Sequence, residues 1–319
     1  MMITEANSSH QFMIQTLWNE QDWIYNEIDV EDTMKWIERE GNVFLVQMNQ
    51  EKLEGFIFGN VNETSHKAYL SMIIVQSQKR NQGIGSSLLN QWIHTVMKKD
   101  SKLESIDIVF FDPNSFEWKI SNNQNVFHPN TPGIHLGSGP ISFFEKFHFI
   151  EYARQEVFFR SIVKYEMPKD IKTKIQSLEQ DSIAIEFYDP KIHQGFDDYF
   201  RRNFAMHWSL AANQGLAAGQ KVLVVTKNHQ VIGFTGPLTV ENTKRGYFAG
   251  IGIDHLYRGM GLGTVLFHSL CFHLSKLGAS YMTLFTGTTN PARNIYLQAG
   301  FSLMDTFLNL RKNILVTRE

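Results

Sequence analysis

The chain has 319 residues, 43% of them hydrophobic and 19% charged, with 30 Lys and Arg set against 32 Asp and Glu for a formal net charge of -2. That length predicts two domains of about 150 residues, each able to bury a core without staples, and the charge balance gives no support to a nucleic-acid surface or a polybasic membrane patch. The single cysteine, Cys271, rules out an internal disulfide; with no signal-like N-terminus and no apolar run of membrane-spanning length, a soluble cytoplasmic protein is expected.

Hydrophobic periodicity gives the elements in chain order. A strand over 2–6 precedes helices over 11–20 and 30–40, and strands over 44–48, 53–60 and 68–75 follow. From Gly83 to about Lys98 the residues Ile84, Leu88, Leu89, Trp92, Ile93 and Val96 recur at helical spacing, which predicts an amphipathic helix. A strand over 106–111, a long loop over 112–140, a short helix over 141–147 and closing strands over 150–163 complete the first half. The loop is rich in Asn, Pro and Gly, and its aromatic residues predict packing over the first half's cleft or against the second half.

The charged, proline-bearing segment 165–181 reads as a linker. The order then repeats, with a strand over 183–188, helical material to about 218, and strands over 221–226, 231–239 and 247–253. A helix over 262–277, a strand over 281–286, a helix over 291–298 and closing strands end the chain. The predicted fold class is therefore α/β, with two consecutive domains at 1–164 and 182–319, each a mixed, largely antiparallel sheet flanked by helices.

Both halves carry an R-x-x-G-x-G loop between an apolar strand and an amphipathic helix. The first runs from Val75 through Arg80, Gln82, Gly83, Ile84 and Gly85 to Ser86; the second runs from Ile253 through Arg258, Met260, Gly261, Leu262 and Gly263 to Thr264. Glycines let the backbone turn tightly and approach a ligand, and the free amides of the first helical turn then face an anion at the positive end of the helix dipole. A diphosphate suits that arrangement. Arg80 and Arg258 add charge or hold the loop through its own carbonyls. A dinucleotide-binding Rossmann loop fits poorly, because Leu88 and Leu266 stand where its third glycine belongs. No G-K-[ST] follows, so a Walker loop is excluded. The two arginines lie 178 residues apart (258 − 80), as a duplicated domain requires.

These loops resemble the GNAT acyltransferase family, whose [QR]-x-x-G-x-[GA] signature follows the fourth strand. The likeness covers nearly the whole chain, once per half. It implies acetyl-CoA as co-substrate, with the diphosphate on the loop amides and pantetheine along the splayed fourth strand. Val75, Arg80, Gln82, Gly83, Ile84, Gly85 and Ser86 would form one such site; Ile253, Arg258, Met260, Gly261, Leu262, Gly263, Thr264 and Asn290 would form the other. The family's second signature, an Asn followed by Y-x-x-x-G-F, appears as Asn290 with Tyr296, Gly300 and Phe301. Its Asn-to-Tyr spacing is one residue short of the family pattern. In the first half Phe144 replaces the Tyr and His148 the Gly.

Acetyl transfer to an amine needs a neutral nucleophile, polarisation of the carbonyl and a proton for the departing thiolate. Tyr296 is the expected proton donor, which places catalysis in the second half. The strand over 247–253 carries no carboxylate, and Asp254 and His255 fall in the loop beyond it, so no general base is named. His207 and Trp208 stand where the family's substrate wall would be; their bland reading is a solvated His and a core Trp. His268 and His273 share one helix without a metal constellation, and no metal is predicted. The resemblance implies N-acetylation of a small-molecule primary amine. The alternatives are a CoA-binding or protein-interaction module without turnover, and a protein or peptide N-acetyltransferase.

Overall fold

The computed structural model describes residues 2–108, 113–123, 125–137, 140–203 and 206–314, with the side chains of 206 and 207 outside that description. In chain order the first elements are β1 (Met2–Glu5), α1 (Gln11–Asn19), α2 (Val30–Glu38), β2 (Asn42–Asn49), β3 (Lys52–Asn62), β4 (Lys67–Val75), α3 (Ile84–Lys99) and β5 (Ser105–Ile108). Three short pieces, β6 (Trp118–Lys119), β7 (Phe127–His128) and β8 (Ile134–His135), precede α4 (Ile141–Glu145) and β9 (Ile150–Ser161). Next come α5 (Lys169–Gln180), β10 (Ile183–Phe187), α6 (Phe196–Asn203), α7 (Met206–Ala217), β11 (Lys221–Lys227), β12 (Gln230–Val240), β13 (Gly246–Tyr247) and β14 (Gly250–Ile253). The chain finishes with α8 (Leu262–Lys276), β15 (Tyr281–Gly287), α9 (Ala292–Gln298) and β16 (Ser302–Asn313).

Two compact units result, Met1–Glu156 with Asp305–Glu319, and Val157–Met304. The expected boundaries at 165–181 differ from this division for two reasons. The segment read as a linker contains α5, whose Ile171 and Leu178 are buried on one face while its lysines stay in water. Pro168 caps its start, where a missing amide does no harm. The last strand also changes unit along its length: Asp305–Asn313 belong to the first.

In the first unit the sheet runs β1-β2-β3-β4-β5-β16. All its pairings are antiparallel except β4 with β5, which are parallel from Lys67–Ser105 to Tyr69–Asp107. The alternation of strand side chains then sets two apolar faces. One packs on α3 through Leu45, Ile57, Leu70, Ile106 and Leu310. The other packs on α1 and α2 through Phe44, Phe56, Phe58, Trp18 and Trp36. Phe116 of the long loop joins this second layer against Trp36 and Phe58, and Trp118 lies on Phe307 at 4.8 Å. Asp305 ties the same loop down through Ser121 and through His135 Nε2 at 3.1 Å.

In the second unit the sheet runs β10-β11-β12-β14, with β13 on the far end of β12. β15 neighbours β9 instead of β14. Helix α8 is apolar nearly all round, with Leu262, Val265, Leu266, Phe267, Leu270, Cys271 and Leu274 buried, and it forms the centre of this core. Cys271 is fully buried, and burial pushes its thiol up to about 12. No helix among the described residues is long and apolar enough to cross a membrane.

Candidate active site

β14 ends in the second glycine loop, and its ladder fixes what it presents. The Asp254 amide donates to Ile232 O at 2.8 Å, so alternate residues Gly252 and Gly250 also address β12. The amides of Ile251 and Ile253 therefore turn outward, along an edge that β15 does not close. The matching edge of the first unit is built the same way. Gln76 N donates to Glu54 O at 2.9 Å, and the amides of Ile73 and Val75 turn outward. Ser71 is a one-residue bulge opposite the Phe58–Gly59 step, and the parallel pairing with β5 has ended before it, at Tyr69.

Both loops then take one backbone path. Positive φ falls at Asn81 (60°) and Gly83 (85°) in the first, and at Gly259 (82°) and Gly261 (78°) in the second. The first amides drawn into each helix are Ser87, bonded to Gly83 O, and Val265, bonded to Gly261 O. The amides of Ile84, Gly85 and Ser86, and of Leu262, Gly263 and Thr264, have no intrahelical acceptor. A Cβ on Gly83 would meet nothing within 4 Å, and one on Gly261 would meet only Lys174 Cε, at 3.8 Å. The space above each loop is open and ringed by donors, as an anionic diphosphate needs. Lys174 of α5 brings its side chain over the second loop. Sequence reasoning missed it because its segment read as a linker.

The arginines of the motif point back. Arg80 Nε donates to Val75 O at 3.3 Å and Arg258 Nε to Ile253 O at 3.4 Å, each bridging its own loop. Arg80 also reaches Gln21 Oε1 at 2.7 Å, while Gln82 is bound to Gln78 O. Met260 stays exposed and Ile253 is buried at the strand end. Below the second loop Asp254 is 1% exposed and accepts from Leu256 N, Asn203 Nδ2 and Arg202 Nη2 at 3.0–3.2 Å. Burial would raise its carboxyl, but these three donors outweigh that and hold it below the usual carboxylate range. His255 Nδ1 and N both lie on Asn203 Oδ1.

Helix α9 meets the loop through Ile295, whose Cδ1 stands 3.1 Å from where a Gly263 Cβ would be. The next residue, Tyr296, is 6% exposed between Phe158 and Phe267, with ring centroids 5.7 and 4.9 Å away. Its hydroxyl makes no hydrogen bond among the described residues, and burial pushes its pKa up to about 12. Asn290 Oδ1 accepts from Ala292 N at 3.0 Å and so starts α9. In the first unit a Cβ on Gly85 would meet the Phe143 ring at 3.6 Å, and Phe144 is buried against Phe149. Phe143, Phe144, His148 and Phe149 stand a constant 152 residues before Ile295, Tyr296, Gly300 and Phe301. The turn is shared: His148 takes φ 64° where Gly300 takes 74°, and Phe149 N and Phe301 N donate to Phe144 O and Tyr296 O.

Trp208 lies with its indole against Gly250, where a Cβ would come within 2.6–2.9 Å of the ring. It is half-buried, between the core position and the wall position that the sequence allows. The His207 side chain lies outside the described residues. No group of three His, Cys, Asp or Glu with metal-binding geometry occurs among the described residues.

Residues 181–301 match the model of the Acetyltransferase (GNAT) family, and residues 6–108 that of an Acetyltransferase (GNAT) domain. No curated protein sequence matches the chain. Among solved structures the chain is similar to a fungal multi-domain GH3 beta-N-acetylglucosaminidase with a GCN5-related glucosamine N-acetyltransferase region (TM-score 0.71, 14% identity). That match covers 98% of this chain but 38% of the longer fungal one. A GCN5-related N-acetyltransferase from Sphaerobacter thermophilus aligns over 98% and 95% of the two chains (TM-score 0.63, 10% identity). A tandem GNAT protein from the clavulanic acid biosynthesis pathway aligns over 98% of each (TM-score 0.60, 12% identity).

Proposed function

Since the chain belongs to the GNAT acetyltransferase family and carries two of its domains in tandem, we propose that it moves an acetyl group from acetyl-CoA to the primary amine of a small molecule, with turnover in the second half. The observation that carries this reading is Tyr296, a buried phenol next to the residue that touches the loop glycine Gly263. The residues present fit the co-substrate. The open cradle over Gly261, the free amides of Leu262, Gly263 and Thr264, and Lys174 would hold the diphosphate. Bound there, acetyl-CoA supplies the activated acyl group.

The chain's own residues then do the rest. The outward amide of Ile251 is a donor for the charge that develops on the carbonyl oxygen. Tyr296, surrounded by Phe158 and Phe267, holds a proton for the departing sulfur and is shielded from bulk water. Its raised pKa keeps that proton in place across the physiological range. In the first half, Phe144 offers no such proton, which favours binding without turnover there.

The test is a panel of primary amines with release of free CoA as the readout, run beside the melting shift induced by acetyl-CoA. Turnover with at least one small amine is expected. A stabilising shift with no CoA release from any amine would leave a binding module, and transfer confined to peptide N-termini would make the acceptor a protein.

A further inference from the structure

We infer that Thr235 and Tyr199 are positioning residues for the transfer in the second half, their hydroxyls polarising, through the carbonyls of Gly250 and Gly252, the two peptide groups whose amides face the co-substrate. Thr235 acts through the Ile251 amide and Tyr199 through the Ile253 amide. This rests on the function proposed above and names two residues that serve it.

In a trans peptide the C=O and the N–H point opposite ways. The carbonyls of Gly250 and Gly252 turn toward β12. The amides that share their peptide groups, Ile251 N and Ile253 N, therefore turn to the edge that β15 leaves open.

Two buried hydroxyls reach those carbonyls from opposite faces of the sheet. Thr235 of β12 is fully buried and stands opposite Ile251, so it shares the α8 face with that side chain. Its Oγ1 donates to Gly250 O at 3.1 Å. Tyr199 of α6, also fully buried, lies on the other face against Phe234, with ring centroids 6.0 Å apart. Its hydroxyl donates to Gly252 O at 2.7 Å. Burial raises the pKa of this phenol, which keeps it a donor across the physiological range.

A buried hydroxyl needs an acceptor somewhere; the choice of acceptor is what is particular here. A hydrogen bond at a carbonyl draws electron density to its oxygen and makes the N–H of the same peptide group a better donor, by roughly 10–30% per bond. Negative charge gathers on the thioester carbonyl oxygen during transfer, so a stronger Ile251 donor lowers the barrier more than it tightens the resting complex. The Ile253 amide, two residues along the same edge, meets the co-substrate alike before and during transfer, and Tyr199 thereby serves binding. In the first half Ile57 stands opposite Ile73 as Thr235 stands opposite Ile251, at the 178-residue offset of the two loops. An aliphatic side chain has no proton to donate, so this hydroxyl and the Tyr296 phenol occur in the same half.

The experiment uses the full chain with Gly83→Glu as background, which keeps the first loop empty, and acetyl-CoA labelled with carbon-13 at the acetyl carbonyl. The infrared stretch of that carbonyl, recorded on the bound co-substrate without an acceptor, falls in frequency as its hydrogen bond strengthens. Thr235→Val keeps the side-chain shape and removes the hydroxyl. It should raise the band frequency and lower kcat about fivefold, with the KM for acetyl-CoA within about twofold of its original value. Thr235→Ser should restore both band and rate. Tyr199→Phe should instead raise the KM for acetyl-CoA about fivefold, with the smaller effect on kcat. Circular dichroism and Tm show that each variant is folded. A band and a kcat that do not move in Thr235→Val, or a loss that Thr235→Ser fails to reverse, overturn the inference while transfer itself stands. An effect of Tyr199→Phe on kcat alone overturns the part assigned to Tyr199. If no amine releases CoA, the proposed function fails, and the band still decides whether Thr235 polarises the peptide group over the bound thioester.

Discussion

The two halves of this chain share a loop and differ in what surrounds it. Positive φ at Asn81 and Gly83 matches Gly259 and Gly261 residue for residue, and each motif arginine bridges back to the carbonyl five residues before it. Around those constants the supports are exchanged. The buried carboxylate below the first loop is Glu54 on β3, paired with Lys79 at 3.0 Å; below the second it is Asp254, after β14, paired with Arg202. Lys174 stands over the second loop, and the phenol of Tyr296 has a phenyl, Phe144, as its counterpart. The loop geometry is set by backbone and glycine, so both halves hold it although only one holds the phenol.

The sharpest way to break that comparison is Tyr296→Phe. It should lower kcat by about 10²–10⁴-fold, the range for loss of general acid catalysis, while acetyl-CoA binding persists. Phe144→Leu should leave kcat intact and destabilise by about 1 kcal/mol, read as a lower Tm. Full activity in Tyr296→Phe would move the chemistry elsewhere. The same phenol sets a pH expectation. Its pKa is raised, so the proton-donating form is the one retained, and Tyr296 should cause no loss of rate until the pH nears about 12.

Next in size is the loop itself. Gly261→Glu puts a carboxylate into the open space over the second loop, and Gly83→Glu does so over the first. Each should remove one equivalent from the acetyl-CoA stoichiometry measured by calorimetry. A wild-type stoichiometry of one, lost with Gly261→Glu and kept with Gly83→Glu, would show the first loop to be a turn without ligand. Lys174→Ala should raise the KM for acetyl-CoA by about tenfold and flatten its salt dependence, because a single cation beside a phosphate contributes about 1–2 kcal/mol. An unchanged salt dependence would remove Lys174 from the site.

The smallest effect concerns the turn after α4. His148 holds the left-handed conformation that Gly300 takes without strain. His148→Gly should therefore stabilise the protein by about 1 kcal/mol, seen as a Tm higher by a few degrees. A drop in Tm would mean that the His148 side chain contributes more than its backbone loses.

Much of this was legible before the structure. Both glycine loops, the helices they start and the strands around them follow from period and punctuation, since their signals are local. The segment 165–181 misled because charge and a proline dominate it; its helix depends on two buried residues, Ile171 and Leu178, seven apart in a polar background. Lys174 was lost with it. The partners of Asp305 were equally invisible. Its bonds to Ser121 and His135 span 184 and 170 residues, and no local pattern announces a pairing at such separation. Trp208 could be placed near the site by analogy of order, but only Gly250 beneath it shows why the indole lies where it does.

The last strand has a consequence for the order in which the protein can be completed. β5 ends at Ile108, and its partner runs from Leu310 to Asn313. Roughly 200 residues must leave the ribosome between the two, about 10–40 s at common rates of synthesis. For that interval the first unit holds an unpaired strand edge, a template for association with other nascent chains. A release of the chain anywhere before residue 305 would leave that edge permanently open, so a premature stop late in the message should harm the beginning of the protein more than its middle.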